Sequence, residues 1–172
     1  MKFGTEDLEK ILNKKDMKEI INKMCLCLEE SILKVHFNKD KPEYNNIFIT
    51  NLRDSFIHVF DGSKFIVASK NDIINQLYNK HLINIETVFN DNNIPLTEQK
   101  YNRFFELLNS LNDDTEIFID GDDDNKKYTN RRKYKIKNIK QLIYNNSDPE
   151  LLKQFLKNNL KEKVIEDSTE ND

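Results

Sequence analysis

Along most of this chain apolar residues recur at intervals of three and four, the spacing of one helix face. Leu8, Ile11 and Leu12 form a short face that Thr5 can cap, with Glu6 and Asp7 in the first turn. A second stripe, Met17, Ile20, Ile21, Met24, Cys27, Leu28, Ser31 and Val35, predicts one helix from about 16 to 37, and Pro42 bars its continuation. The longest stripe runs from Ile73 to Phe89 behind a Ser69–Asp72 start signal. Thr97 caps a further helix faced by Tyr101, Phe104, Phe105, Leu108 and Leu111. Tyr134, Ile136, Ile139 and Ile143 suggest another, and Asp148-Pro149 opens a last one with Leu151, Leu152, Phe155, Leu156, Leu160 and Val164 on its face.

Between residues 46 and 68 the pattern changes. Ile47–Thr50, Phe56–Phe60 and Phe65–Ala68 are β-branched and aromatic runs, joined by a polar link at 51–55 and by Asp61-Gly62, a hairpin-turn pair. The predicted fold is α+β: predominantly helical, with a small three-stranded antiparallel β-meander covered by amphipathic helices, foremost those at 69–90 and 16–37. Residues 1–112 form the core domain, 113–130 a loop, 131–165 a C-terminal helical hairpin packed on the core and 166–172 an acidic tail.

Composition narrows the function. Of the 172 residues 37% are hydrophobic and 33% charged, polar for a folded domain, yet eleven Phe and six Tyr can build a modest core. A net charge of −3 excludes a global basic field for nucleic acid. No apolar run approaches the roughly 20 residues that span a bilayer, and the N-terminus carries no hydrophobic signal region, so a soluble intracellular protein is expected. The two cysteines, Cys25 and Cys27, project about 200° apart on a helix and suit neither a shared metal nor a disulfide framework. With glycine only at 4, 62 and 121, no Gly-rich phosphate loop can form.

The polar clusters are candidates to weigh. Asp120 to Asn125 resembles the start of a calcium loop, but Asn125 stands at position six where Gly is needed and Arg131 at position twelve where Glu is needed; a solvated acidic loop is the better reading. His81 lies on the apolar stripe of its helix, as core histidines do. His58 shares a strand face with Phe56 and Phe60, and His36 ends a helix, where a cation suits the dipole. None stands near a recognisable nucleophile motif. No catalytic residue, metal site or cofactor is implied. The basic run holds Lys126, Lys127, Arg131, Arg132, Lys133, Lys135, Lys137 and Lys140 with Tyr128 and Tyr134 interleaved, a set that can contact phosphates and stack on bases. The acidic run from Asp113 to Asp124 beside it would repel a phosphate backbone, and a charged, solvated helix face accounts for the run as well.

Residues 35–53, Val-His-Phe-Asn-Lys-Asp-Lys-Pro-Glu-Tyr-Asn-Asn-Ile-Phe-Ile-Thr-Asn-Leu-Arg, and Val59-Phe-Asp-Gly62 resemble the C-terminal domain of C2H2 zinc-finger-type proteins of giant DNA viruses, the mimivirus and phycodnavirus group. Phe3–Leu8, Asp72–Tyr78 and, weakly, Leu142–Asn146 extend the likeness. The resemblance implies a viral protein acting in the host cytoplasm, at the virus factory, or in the virion. Lys, Asn and Ile richness agrees with an AT-rich genome. No Cys-x-x-Cys exists here, so the finger's zinc and DNA binding do not carry over. The expectation is a non-enzymatic protein-interaction or assembly module that binds a viral protein partner or itself, with His36, Arg53 and Asp54 as the partner surface. The alternatives are a nucleic-acid-binding accessory protein using 126–140 and an enzyme with an unrecognised site.

Overall fold

The computed structural model describes residues 1–91, 94–113, 118–119, 127–128 and 130–158. Within them the order is α1 (Leu8–Ile11), α2 (Lys14–Asn22), a 3₁₀ turn at Met24–Leu26, α3 (Cys27–His36), a second 3₁₀ turn at Pro42–Tyr44, β1 (Ile47–Phe48), β2 (Phe56–Phe60), β3 (Phe65–Ser69), α4 (Lys70–Asn90), α5 (Glu98–Asn112), β4 (Phe118–Ile119), β5 (Lys127–Tyr128) and α6 (Arg131–Asn146). Residues 149–158 form α7. The α+β class stands: a helical protein around one three-stranded antiparallel sheet of order β1-β2-β3, with β4 and β5 pairing separately.

Start signals act where the sequence places them at Ser69, Thr97 and Asp148, whose side chains accept N–H bonds from the first turns of α4, α5 and α7. At the N-terminus Asp7, not Thr5, caps α1, because the Thr5 hydroxyl donates to the Lys2 carbonyl instead. A full capping box of Asn13 and Asp16 opens α2.

The helix expected from 16 to 37 is two helices. Met24 takes φ 53°, in the left-handed region, and breaks the run. That conformation costs a non-glycine residue roughly 1–2 kcal/mol. No Gly or Pro marks the break. Its compensation comes from far along the chain: the turn presents the Cys25 carbonyl to the buried ammonium of Lys135 on α6.

α4 is the central element and touches α1, α2, α3, α6, β2 and β3. Ile57 and Val59 of β2 turn inward with Ile47 of β1, joining Ile74, Leu77, Tyr78, Ile85 and the buried faces of α2 and α3 in one core. The opposite sheet face carries a second, smaller cluster, Phe48 and Phe65 against Leu152 of α7. Phe155 stacks on Phe65 with ring centroids 5.2 Å apart. The meander is therefore covered by α4 on one face and in part by α7 on the other. The 16–37 region, expected with 69–90 as a cover, packs as α2 and α3 into the inner-face core, and the outer cover is α7.

Candidate interaction surface

The outer sheet face is only half covered. Paired strand residues share a face, so Phe48, Phe56, His58, Phe60, Phe65, Val67 and Ser69 all point outward. α7 covers the end holding Phe48, Phe60 and Phe65. At the other end Phe56 is 40% exposed and Val67 59% exposed. Leu52, in the preceding link, and Ile66, on the inner face at the sheet's edge, are also exposed. The His58 ring lies edge-on to Phe56, 6.0 Å between centroids. Partial burial lowers its pKa, and its Nδ1 is buried without a hydrogen-bond partner.

β3 is an edge strand, and its open side follows from the hydrogen-bond register. The Asp61 N–H donates to the Lys64 carbonyl at 2.9 Å and the Lys70 N–H to the Ser55 carbonyl at 2.9 Å. Antiparallel pairs alternate between bonded and non-bonded. Ile66 and Ala68 thus bond to β2, while the N–H groups of Phe65, Val67 and Ser69 face away from it. The strand carries no charge and no proline, the devices by which edges are usually protected.

The residues expected at the partner surface are divided. Arg53 is exposed and Asp54 half-buried, both in the 51–55 link, where Asn51 holds the Arg53 N–H and the Asp54 carboxylate. His36 is not on the surface: it is 1% exposed. It lies at i+4 from Ile32 and so on the inner face of α3.

His36 belongs instead to a buried polar chain. Its Nδ1 faces two acceptors, the Asn46 Oδ1 at 2.9 Å and the Tyr44 carbonyl at 3.3 Å, so Nδ1 carries the proton. Its Nε2 then accepts from Nε2 of His81 at 3.3 Å, and Nδ1 of His81 accepts from the Ser31 hydroxyl at 2.7 Å. At the other end the Asn46 amide donates to Glu6 at 2.5 Å, and Glu6 pairs with Lys80 at 2.9 Å. Burial pushes the pKa of both imidazoles down, that of His81 well below the ordinary value. Burial alone would raise the Glu6 carboxyl, but attraction to the His36 ring when it is protonated and hydrogen bonds from Lys80 and Asn46 outweigh it and leave it lowered. Ser31 and His81 are a hydroxyl–imidazole pair of the kind that activates nucleophiles, yet both are fully buried and no substrate reaches them. His81 is thus the satisfied core histidine its stripe position suggested.

The basic run does not form one patch. Lys126 and the side chain of Lys127 lie outside the described residues, as does the Asp120–Asn125 loop. Lys135 is buried at 3% exposure and pairs with Glu29 at 2.7 Å, which removes it from any phosphate-binding set. Its sequence signal was spacing: Lys135, Ile139 and Ile143 stand four apart on one face of α6. Arg132 lies 4.4 Å above the Tyr78 ring and donates to Asn75 and Asn79 of α4. Lys133 and Lys137 are exposed, and Arg131 turns to a different place. There, in a cleft of about 520 Å³, it meets Lys100 and Arg103 of α5, with Glu106 and the exposed Cys25 at the rim.

Among the described residues no three His, Cys, Asp or Glu side chains are grouped to hold a metal ion, and no helix is long and apolar enough to cross a membrane. No protein-family model, characterised protein or solved structure matches this chain.

Proposed function

We propose that this chain is a non-enzymatic protein-interaction module that works through the uncovered end of its sheet. The observation that supports the reading is the coincidence of an uncharged, unprotected edge strand, β3, with exposed Phe56 and Val67 on the adjoining face. Apolar side chains beside an open strand edge supply both burial and backbone hydrogen bonds to a partner. The likeness of residues 35–62 to a giant-virus domain suggests an assembly role in a virion or virus factory. Proximity labelling with the tagged chain in cells that express it tests the reading. Phe56→Ser and Leu52→Ser together should deplete specific proteins from the labelled set; a set unchanged by both substitutions refutes it.

A second reading is favoured by the cleft of Lys100, Arg103 and Arg131. Among the described residues three cations line the cleft with one carboxylate, Glu106, and within that set Lys100 and Arg103 form no side-chain hydrogen bond or ion pair. This site would take a phosphate-bearing ligand, including a nucleic-acid backbone, in place of the 126–140 run as a unit. Binding of a single-stranded oligonucleotide that weakens steeply with salt and is lost in Lys100→Ala/Arg103→Ala would support it. No binding at low salt would remove it.

A further inference from the structure

We propose that β3 pairs with β3 of a second copy of this chain, antiparallel and centred on Val67, so that two three-stranded sheets become one six-stranded sheet. The inference rests on the interaction reading above and names its partner.

The edge is self-complementary. A two-fold axis at Val67 sets residue 67 opposite residue 67, residue 66 opposite 68 and residue 65 opposite 69. Ile66 of each copy then meets Ala68 of the other on the inner face. On the outer face Val67 meets Val67, and the bulky Phe65 meets the small Ser69. Each of these pairs avoids a charge. The groups that point outward from β3 supply the bonds. The Val67 N–H of each copy donates to the Val67 carbonyl of the other. The Ser69 N–H donates to the opposite Phe65 carbonyl, which gives four hydrogen bonds, two donated by each chain. The Ser69 carbonyl is left out of this set because, at the N-cap of α4, it is engaged by the helix.

Charge does not oppose the pairing. The same operation brings Lys64 toward Lys70, a like-charge contact on paper. Lys70 is 3% exposed, and its ammonium donates to the Asn51 and Leu52 carbonyls at 2.8 and 3.1 Å. It is therefore turned toward the 51–55 link, away from the open edge. Exposure is concentrated at the centre of the proposed seam, where Val67 is the most exposed large apolar residue of the sheet. An isologous pairing also consumes the open edge of β3 in both copies. An unlike extended peptide could take the same bonds, but the two-fold matching of Ile66 with Ala68 and Phe65 with Ser69 is particular to a second copy.

The test is sedimentation velocity over a concentration series with the full chain, joined to amide hydrogen exchange. The expected result is a monomer–dimer equilibrium in which the Val67 and Ser69 amides become protected as the dimer forms. The Ile66 and Ala68 amides, already bonded to β2, should not change. Val67→Pro removes an edge-facing N–H and no β2 bond, a placement proline tolerates on edge strands. It should weaken dimerisation about tenfold to a hundredfold through loss of two hydrogen bonds. Val67→Thr, which keeps the N–H and the branched shape, should dimerise like the wild type and controls for folding. A monomer at every concentration overturns the proposal, as does a dimer whose Val67 amide stays unprotected. Either result would leave the broader interaction reading to its own test, the loss of labelled proteins on substituting Phe56 and Leu52.

Discussion

The Ser31 hydroxyl donates to Nδ1 of His81 over 2.7 Å, fifty residues away in sequence, and neither group meets solvent. That bond fixes the tautomer of His81, which fixes that of His36, which in turn orients Asn46 and Glu6. With both imidazoles neutral these bonds are mutually consistent in one proton placement, the His36 Nδ1–H having both the Asn46 Oδ1 and the Tyr44 carbonyl as acceptors. A fully satisfied buried network of this kind ties α3, α4, the turn before β1 and the N-terminus into one geometry.

The network makes the fold acid-sensitive. Histidine in the unfolded chain titrates near 6.5, and both buried rings titrate lower. Below that value the unfolded state binds protons that the native state does not. Stability is therefore full above pH 6.5 and falls as pH drops through the interval between the unfolded and native values. The two network histidines contribute at most about 2.7 kcal/mol per pH unit to the slope, and His58, lowered by partial burial, adds to it. Urea unfolding from pH 7.5 to 5 should show the midpoint declining below 6.5. Ser31→Ala with His81→Leu should flatten the decline. A midpoint unchanged across the range in the wild type would contradict the account.

The two cysteines should be distinguishable by reagent. Cys25 is exposed at the rim of the α5 cleft, whereas Cys27 is 0% exposed and burial, helped by the nearby Glu29, pushes its thiol up to about 12. A thiol-specific reagent at neutral pH should modify one thiol in the native protein and two in denaturant, because only a thiolate reacts. Peptide mapping should place the native label at Cys25. Rapid labelling of Cys27 under native conditions would show that α3 opens locally.

Local patterning explains why the long helices and the meander are readable from sequence. Ile73 through Phe89 keep helical spacing across the whole of α4, and Asp61-Gly62 stands between two β-branched runs. What resisted reading depends on contacts between distant segments. Met24 is an ordinary helix former, and its left-handed conformation answers to Lys135 on α6. Ser31, His36, Asn46 and His81 come together from three segments, none of which carries a motif. β3 is legible as a strand, but its position at the edge is a matter of topology. Two spacings carry a signal: His36 lies four residues from Ile32, and Lys135 four from Ile139, which stands on the predicted apolar face of its helix.

The buried ion pair should be costly to break and cheap to replace. Lys135 is 3% exposed, and its ammonium has the Glu29 carboxylate at 2.7 Å and the Cys25 carbonyl as acceptors. Glu29→Gln leaves a buried ammonium without its counter-charge and should lower stability by about 3–5 kcal/mol. Glu29→Met with Lys135→Met substitutes apolar groups of similar length for both partners and should recover most of that loss. Chemical denaturation of the single and double variants measures the difference. Equal destabilisation in both would mean that the Cys25 carbonyl, orphaned at the Met24 turn in the double variant alone, costs as much as the unpaired ammonium does in the single one.

The Asp61–Lys64 turn sets the register that leaves Val67 at the open edge. The Asp61 carboxylate accepts from the Ser63 N–H, the Ser63 hydroxyl and the Lys64 N–H, which lowers its pKa to about 2. Gly62 follows at φ 108°, a conformation that side-chain-bearing residues rarely adopt, although an added Cβ would meet only Lys2 at an ordinary 3.5 Å. The strain is therefore in the backbone and not in the surroundings. Gly62→Ala should cost about 1–2 kcal/mol, and Gly62→Asn less, because asparagine tolerates positive φ better. Urea unfolding gives the two values. Exchange rates of the Ile66 and Ala68 amides show whether the register survives: it should, since Ile57 and Val59 anchor β2 in the core and a one-residue slip of β3 would turn Phe65 away from Leu152 and Phe155. A neutral Gly62→Ala would mean that the loop relaxes to negative φ without disturbing β2 and β3.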